Sequence, residues 1–296
     1  MAARLTGRLA EAGYAAGWGF VRALPEPVAA AMFRAGADLA FRRGGKAVDR
    51  LRSNLSRVAP DADLDALTRQ GVRSYARYWC EVFRLPATPT ERIIRGMVAV
   101  DEQRLRTSVA SRSGTILALP HCGNWDHAGA WCGVTGAPFT TVAERLRPES
   151  LYDRFVAFRE SLGMEVLPLT GGERPPYKIL IERLEAGGML CLLADRDLSA
   201  RGIDVKFFGA TARMPAGPAS LALRTGATLI PTTLSFRQDG WQVVFHPEVV
   251  HSDVTTMTQT VADAFAGAIA EHPADWHMFQ RLWLEDLEPR TAGPTR

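Results

Sequence analysis

Between residues 115 and 246 the chain changes rhythm, from long helical periodicity to short apolar runs separated by helical stretches, and this alternation constrains the fold more than any other feature. The runs cover 115–119, 139–143, 165–168, 189–194, 228–233 and 242–246, and helix-like segments lie at 125–134, 149–162, 176–186, 215–225 and 256–271. Strands joined through helices pair in parallel, because a parallel neighbour is reached only by a long crossover, and such sheets are covered on both faces. The spacing therefore predicts an α/β fold with a mostly parallel central sheet and helices on both faces. An N-terminal helical segment precedes it, with helices expected over 27–41, 47–58 and 64–85. The last of these has a bulky face of Leu67, Val72, Tyr75, Tyr78, Trp79, Val82 and Phe83. With no repeat, low-complexity tract or linker, the expectation is one domain over 1–288, helices 1–110 packed on the body 111–288, and a loose tail over 289–296.

Composition excludes several classes. Hydrophobic residues make up 47% and charged residues 23% of 296 positions, as in an ordinary globular chain. The net charge is only +3, but Arg34, Arg42, Arg43, Lys46, Arg50, Arg52 and Arg57 crowd the N-terminal part. That asymmetry suits an anionic membrane surface, and no motif for nucleic acid accompanies it. No uninterrupted apolar stretch is long enough to span a bilayer. Residues 1–24 are amphipathic instead, which fits either an interfacial helix or one packed on the body. Cys80, Cys122, Cys132 and Cys191 form no CxxC pair and read as reduced thiols.

In an open parallel sheet, ligands bind beyond the carboxyl ends of the strands. The groups delivered there are His121 and Asp126, then Glu144 and Arg145, then Asp195, Arg196 and Asp197. His121-Cys122-Gly123-Asn124-Trp125-Asp126 has a glycine for a tight turn and an asparagine to cap a helix. It reads as a general base with Asp126 as its orienter, acting on a hydroxyl, or else as a strand-end histidine packed on a helix. Glu144 and Asp195 can accept hydrogen bonds from a sugar or polyol, while Arg159, Arg196 or Arg201 can answer a carboxylate or phosphate. Asp195-Arg196-Asp197 matches the DxD of metal-dependent glycosyltransferases and equally an ion-pair network. The chain has no GxSxG, GxxxxGK or GxGxxG motif, and no metal site is expected at His246 and His251. Trp276, Phe279 and Trp283 read as a helical aromatic stripe.

These residues resemble the glycerolipid and lipid A acyltransferase superfamily, whose signature is HX4D/E. His121 and Asp126 match it, and the likeness continues through Ala143-Glu144-Arg145, Arg159 with Gly163, Asp195-Arg196-Asp197 with Phe207-Phe208-Gly209, and Pro273-Ala274-Asp275-Trp276 with Arg281-Leu282-Trp283, covering about 30 to 285. Within it the chain is most similar to the actinobacterial branch acting on phosphatidylinositol mannosides. Members acting on lipid A usually carry Glu at the second motif position and use acyl carrier protein, so Asp126 favours the former branch. The resemblance implies an acyl-CoA-dependent O-acyltransferase without a cofactor, peripheral on the cytoplasmic face of the plasma membrane. It would move a palmitoyl group from acyl-CoA to the 6-hydroxyl of the mannose at inositol position 2 of a mono- or dimannoside. It further implies His121 as base, Asp126 as orienter, an acceptor pocket of Glu144, Arg159 and Asp195, and main-chain N–H groups near the turn facing the oxyanion. Arg196 and Arg201 remain for donor or phosphate contacts. The alternatives are a lipid A type late acyltransferase, a DxD glycosyltransferase, and a non-catalytic glycolipid-binding protein.

Overall fold

The computed structural model describes residues 17–145, 149–197 and 202–287. Its N-terminal helices are α1 (Glu26–Arg43), α2 (Lys46–Val58), α3 (Leu64–Arg84) and α4 (Thr90–Gly96). There follow β1 (Met97–Val100), α5 (Glu102–Ser111), β2 (Thr115–Leu119), α6 (Trp125–Val134), β3 (Phe139–Ala143), α7 (Glu149–Ser161), β4 (Met164–Pro168), α8 (Pro176–Glu185) and β5 (Met189–Leu193). The chain continues through β6 (Ile203–Phe207), β7 (Ala210–Met214), α9 (Gly217–Thr225), β8 (Thr228–Arg237), β9 (Gly240–Phe245) and α10 (Val254–Glu271).

Seven strands form one sheet in the order β1-β9-β8-β2-β5-β3-β4. The pairs from β8 to β4 are parallel; β9 turns back antiparallel on β8, and β1 runs parallel to β9. Side chains of β2 alternate between two cores, as the period of two in a strand requires. Ile116 and Ala118 join Leu180, Leu184 and Ala222 on one face, under α8, α9 and α10. Leu117 and Leu119 join Tyr78, Val82, Ala128 and Trp131 on the other, under α3 and α6. The expected α/β architecture is thus the one the chain adopts.

The N-terminal helices are tied to the body by specific polar contacts. Asn54 of α2 donates to the carbonyls of Met278 and Gln280 at 2.6 and 2.9 Å. Asp38 of α1 accepts from both Arg73 and Arg69 of α3, which hold its carboxyl well below the usual carboxylate range despite desolvation acting the other way. Residues 17–23 are helical, and Trp18 donates to the Phe83 carbonyl at 2.9 Å while packing on Phe155 and Phe158. At Trp18 the stretch is therefore packed on the body, while Phe20 stays exposed; the rest of the expected amphipathic start, 1–16, lies outside the described residues, as does the tail from 288. No described helix is long and apolar enough to cross a membrane.

Three strands fall outside the six expected. β1 has only four residues, too few for a period to register. β6 and β7 form a separate hairpin turning at Phe208 and Gly209, with φ of 48° and 75°. Two consecutive positive φ angles fit a tight hairpin turn, but a phenylalanine there conceals it, since the usual signature is Asn-Gly or Asp-Gly. The aromatic stripe is not helical: Trp276 and Trp283 are fully buried beside short 3-10 turns at Pro273–Asp275 and Leu284–Asp286.

Candidate active site

β2 and β5 are parallel neighbours with Leu119 opposite Leu193, so the residues two places beyond each strand emerge side by side. Those residues are His121 and Asp195. The imidazole Nδ1 lies 2.5 Å from Asp195 Oδ1, and the backbone N–H of His121 donates to Oδ2 at 2.9 Å. A third donor, the indole N–H of Trp276, reaches the same Oδ2 at 3.0 Å. Asp195 is completely buried, which by itself would raise its pKa. The charge of His121 and the N–H donors outweigh that burial and hold the carboxyl below its usual range. An ionised carboxylate at Nδ1 fixes the tautomer with the proton on that nitrogen and leaves the Nε2 lone pair free to act. The histidine side chain is 23% exposed, enough for Nε2 to meet a substrate.

The turn that carries His121 is fixed from three directions. Gly123 has φ of 55°, and a Cβ there would approach the backbone carbon of Leu234 to 3.0 Å, so a side chain would be both strained and crowded. Asn124 caps α6, accepting from the His127 N–H at 2.9 Å, and donates its amide to Glu81 of α3 at 2.8 Å. The 275–277 strap closes the third side, where Gly123 N–H donates to the Asp275 carbonyl at 2.9 Å and His277 N–H to the His121 carbonyl at 2.8 Å. The Asp275 carboxylate in turn accepts from Ser74 and from the Phe236 N–H, both at 2.8 Å. Burial nonetheless raises its pKa.

Asp126 does not fill the expected role. It sits in the first turn of α6 and is almost fully buried, but its partners are Arg159 and Tyr78 rather than the imidazole. Arg159 makes a bidentate pair, Nε to Oδ1 at 2.7 Å and Nη2 to Oδ2 at 3.2 Å, and the Tyr78 hydroxyl donates to Oδ2 at 2.7 Å. The reason is directional: α6 turns the Asp126 side chain toward α3 and α7, while the His121 ring turns toward the end of β5. Burial works against the charge on Arg159, yet the Asp126 carboxylate keeps its pKa above the ordinary value. Burial first, and Asp126 second, push the Tyr78 phenol well up. The same pair ties Arg159, expected in the acceptor pocket, to Asp126.

The other strand-end groups divide. Glu144 is exposed beyond β3, with Arg196 Nη2 3.8 Å from its carboxylate. Arg196 is largely buried, and its Nε has no partner among the described residues. Arg201 lies outside the described residues. The two acids of the DxD match have separate work, since Asp195 holds His121 and Asp197 accepts from the Gly202 N–H at 3.0 Å. Among the described residues no group of three or more His, Cys, Asp or Glu side chains is placed to hold a metal ion.

Beside the His121 turn opens a narrow apolar slot between α6 and the sheet, with a cavity volume of about 70 Å³. Trp125, Asp126 and Arg159 stand at one end; Leu117, Leu119, Ala128 and Val243 line its walls. Its predominantly apolar lining is suited to a hydrocarbon chain. Two contributors escaped the sequence reading, Tyr78 and Trp276. Both were visible as large aromatics, but nothing local signals that one donates to Asp126 and the other to Asp195.

The family model described as bacterial lipid A biosynthesis acyltransferase matches residues 4–285. The phosphatidylinositol mannoside acyltransferase of Mycolicibacterium smegmatis is 53% identical over 288 residues, covering 96% of this chain and 94% of that protein. Proteins of the same name from two strains of Mycobacterium tuberculosis are 50% identical over 292 residues, covering 94% of this chain and 90% of theirs.

Proposed function

The chain belongs to the bacterial lipid A biosynthesis acyltransferase family, and from that premise we propose that it moves a palmitoyl or similar long-chain acyl group from acyl-CoA to a phosphatidylinositol mannoside. The acceptor oxygen is the 6-hydroxyl of the mannose at inositol position 2, on a mono- or dimannoside. The single observation that carries this reading is a carboxylate-bound histidine beside a slot lined by apolar side chains.

In the proposed reaction Nε2 of His121 removes the hydroxyl proton as the oxygen attacks the thioester carbonyl. Asp195, held ionised by three N–H donors, stabilises the imidazolium that forms. Collapse of the tetrahedral intermediate expels the CoA thiolate, which takes the proton back from Nε2. No acyl-enzyme intervenes. The N–H groups of His121, Cys122, Gly123 and His127 already have acceptors, so the oxyanion draws on those remaining at the start of α6. Glu144 and Arg196, at the same strand ends, face the polar acceptor and its phosphate. Val28, Met32 and Leu39 share an exposed face of α1, and Arg42 and Arg43 close that helix. Both features support a peripheral position on the anionic cytoplasmic face of the plasma membrane.

Mass spectrometry with palmitoyl-CoA and a panel of mannosylated acceptors, with anionic vesicles and acyl carrier protein thioester as further arms, tests the reading. Expected are an acylated mannoside, stoichiometric free CoA thiol, cosedimentation with the vesicles, and loss of about 10² to 10⁴-fold in turnover for folded His121→Ala. Near-normal turnover by that variant, or no acylated mannoside from the wild-type chain, contradicts it.

A further inference from the structure

We propose that Gly129 and Met164 form the adjustable floor of the apolar slot and set the length of the acyl chain it accepts; this rests on the acyl-transfer reading of the slot. The geometry begins with the direction of the elements. β3 and β4 pair in parallel with Phe139 opposite Met164 and Ala143 opposite Pro168, so Phe139 and Met164 lie at the edge of the sheet remote from the strand ends that carry the dyad. From the level of Ala143 to that of Phe139 the strand spans about 13 Å at roughly 3.3 Å per residue. Trp125 and Asp126 in the first turn of α6 mark the near end of the slot, and Gly129 lies one turn further along that helix. Gly129, Phe139 and Met164 all line the slot.

Gly129 has no backbone reason to be glycine. It sits inside a helix without a positive φ, where glycine lowers stability relative to alanine. The neighbouring Gly133 is different, because a Cβ there would meet the backbone oxygen of Leu162 at 2.5 Å. At Gly129 a Cβ would meet side-chain ends, Met164 Cε at 2.5 Å and Phe139 Cζ at 3.0 Å. The missing side chain therefore makes room for the tip of a methionine inside the slot. An unbranched thioether repacks without moving backbone, which makes Met164 the part of the floor that yields or blocks. A methyl group added at 129 pushes that tip into the slot and shortens it; truncation of Met164 lengthens it.

The test measures kcat/KM for lauroyl-, palmitoyl- and stearoyl-CoA with one mannosylated acceptor, and calorimetric affinity for the same CoA thioesters without acceptor. Gly129→Ala is expected to lower the palmitoyl-to-lauroyl ratio about tenfold, and Met164→Ala to raise the stearoyl-to-palmitoyl ratio by a similar factor, since one methylene in an apolar pocket discriminates by roughly 10 to 200-fold. The double variant should return toward the wild-type ratios, which general damage to the fold would not do. Ratios within twofold of wild type in both single variants, or an equal fall for every chain length, overturn the proposal. A wild-type chain that acylates no mannoside sinks the functional reading instead, and the affinity series still reads chain-length selectivity.

Discussion

Two buried carboxylates flank the same turn, and they are held by partners of different kinds. Asp195 faces a partly exposed imidazole that can gain and lose a proton. Asp126 faces a guanidinium that stays charged, with a phenol closing its second oxygen. The first arrangement can change charge during a reaction, whereas the second holds a fixed charge and ties α3, α6 and α7 together. Proximity in sequence to the histidine is therefore a poor guide to which acid serves it. The acid five residues away braces the scaffold, and the acid 74 residues away meets the ring.

That contrast can be broken on the structural side. Arg159→Met leaves Asp126 buried without its counter-charge, and loss of one partner of a buried pair costs about 3 to 5 kcal/mol. Denaturant unfolding should register that loss; a change below about 1 kcal/mol would mean that Asp126 is not held as described. Tyr78→Phe removes one hydrogen bond to the same charged acceptor, with an expected loss of about 1.5 to 3 kcal/mol.

A subtler test uses two deeply buried histidines that have no carboxylate partner among the described residues. His127, stacked on Trp241, and His277, bonded to Ser74, are buried, and burial pushes both down to about 3. A folded pKa below the unfolded value of about 6.5 means that the unfolded chain binds protons the native one refuses. Stability should therefore be full above that value and fall as pH drops from about 6.5 toward 3, by up to roughly 1.4 kcal/mol per pH unit for each histidine. Asp195 adds to the loss only at lower pH, as its carboxyl protonates below the ordinary range. Unfolding free energies measured between pH 7 and 4 check the slope, and a flat profile contradicts it. Replacing either histidine with Gln should remove its share.

Much of this was legible in the chain and some was not, for identifiable reasons. His121, Glu144 and Asp195 announce themselves as polar residues directly after apolar strands, and the parallel alternation places such residues at one edge. Which of them touch depends on strand order. β5 lies beside β2, and nothing local to residues 115–121 or 189–195 encodes that adjacency. The resemblance in sequence therefore implies Asp195 in the acceptor pocket and Asp126 on the imidazole. Tyr78 and Arg159, 48 and 33 residues from Asp126, decide its role through tertiary packing. Aromatic spacing alone makes Trp276 resemble part of a helical stripe, whereas the strap it belongs to is held by backbone bonds to the His121 turn.

The central claim is that Asp195 serves the base while Asp126 serves the scaffold, and paired measurement of kcat and melting temperature for Asp195→Asn and Asp126→Asn tests it most directly. Asp195→Asn should lower kcat by about 10² to 10⁴-fold with little change in KM, as loss of the group that orients and charges a catalytic histidine does. Asp126→Asn should lower the melting temperature more than Asp195→Asn does, and retain turnover within about tenfold of wild type. A fully stable Asp126→Asn variant with turnover abolished, beside an Asp195→Asn variant that turns over normally, would contradict the account.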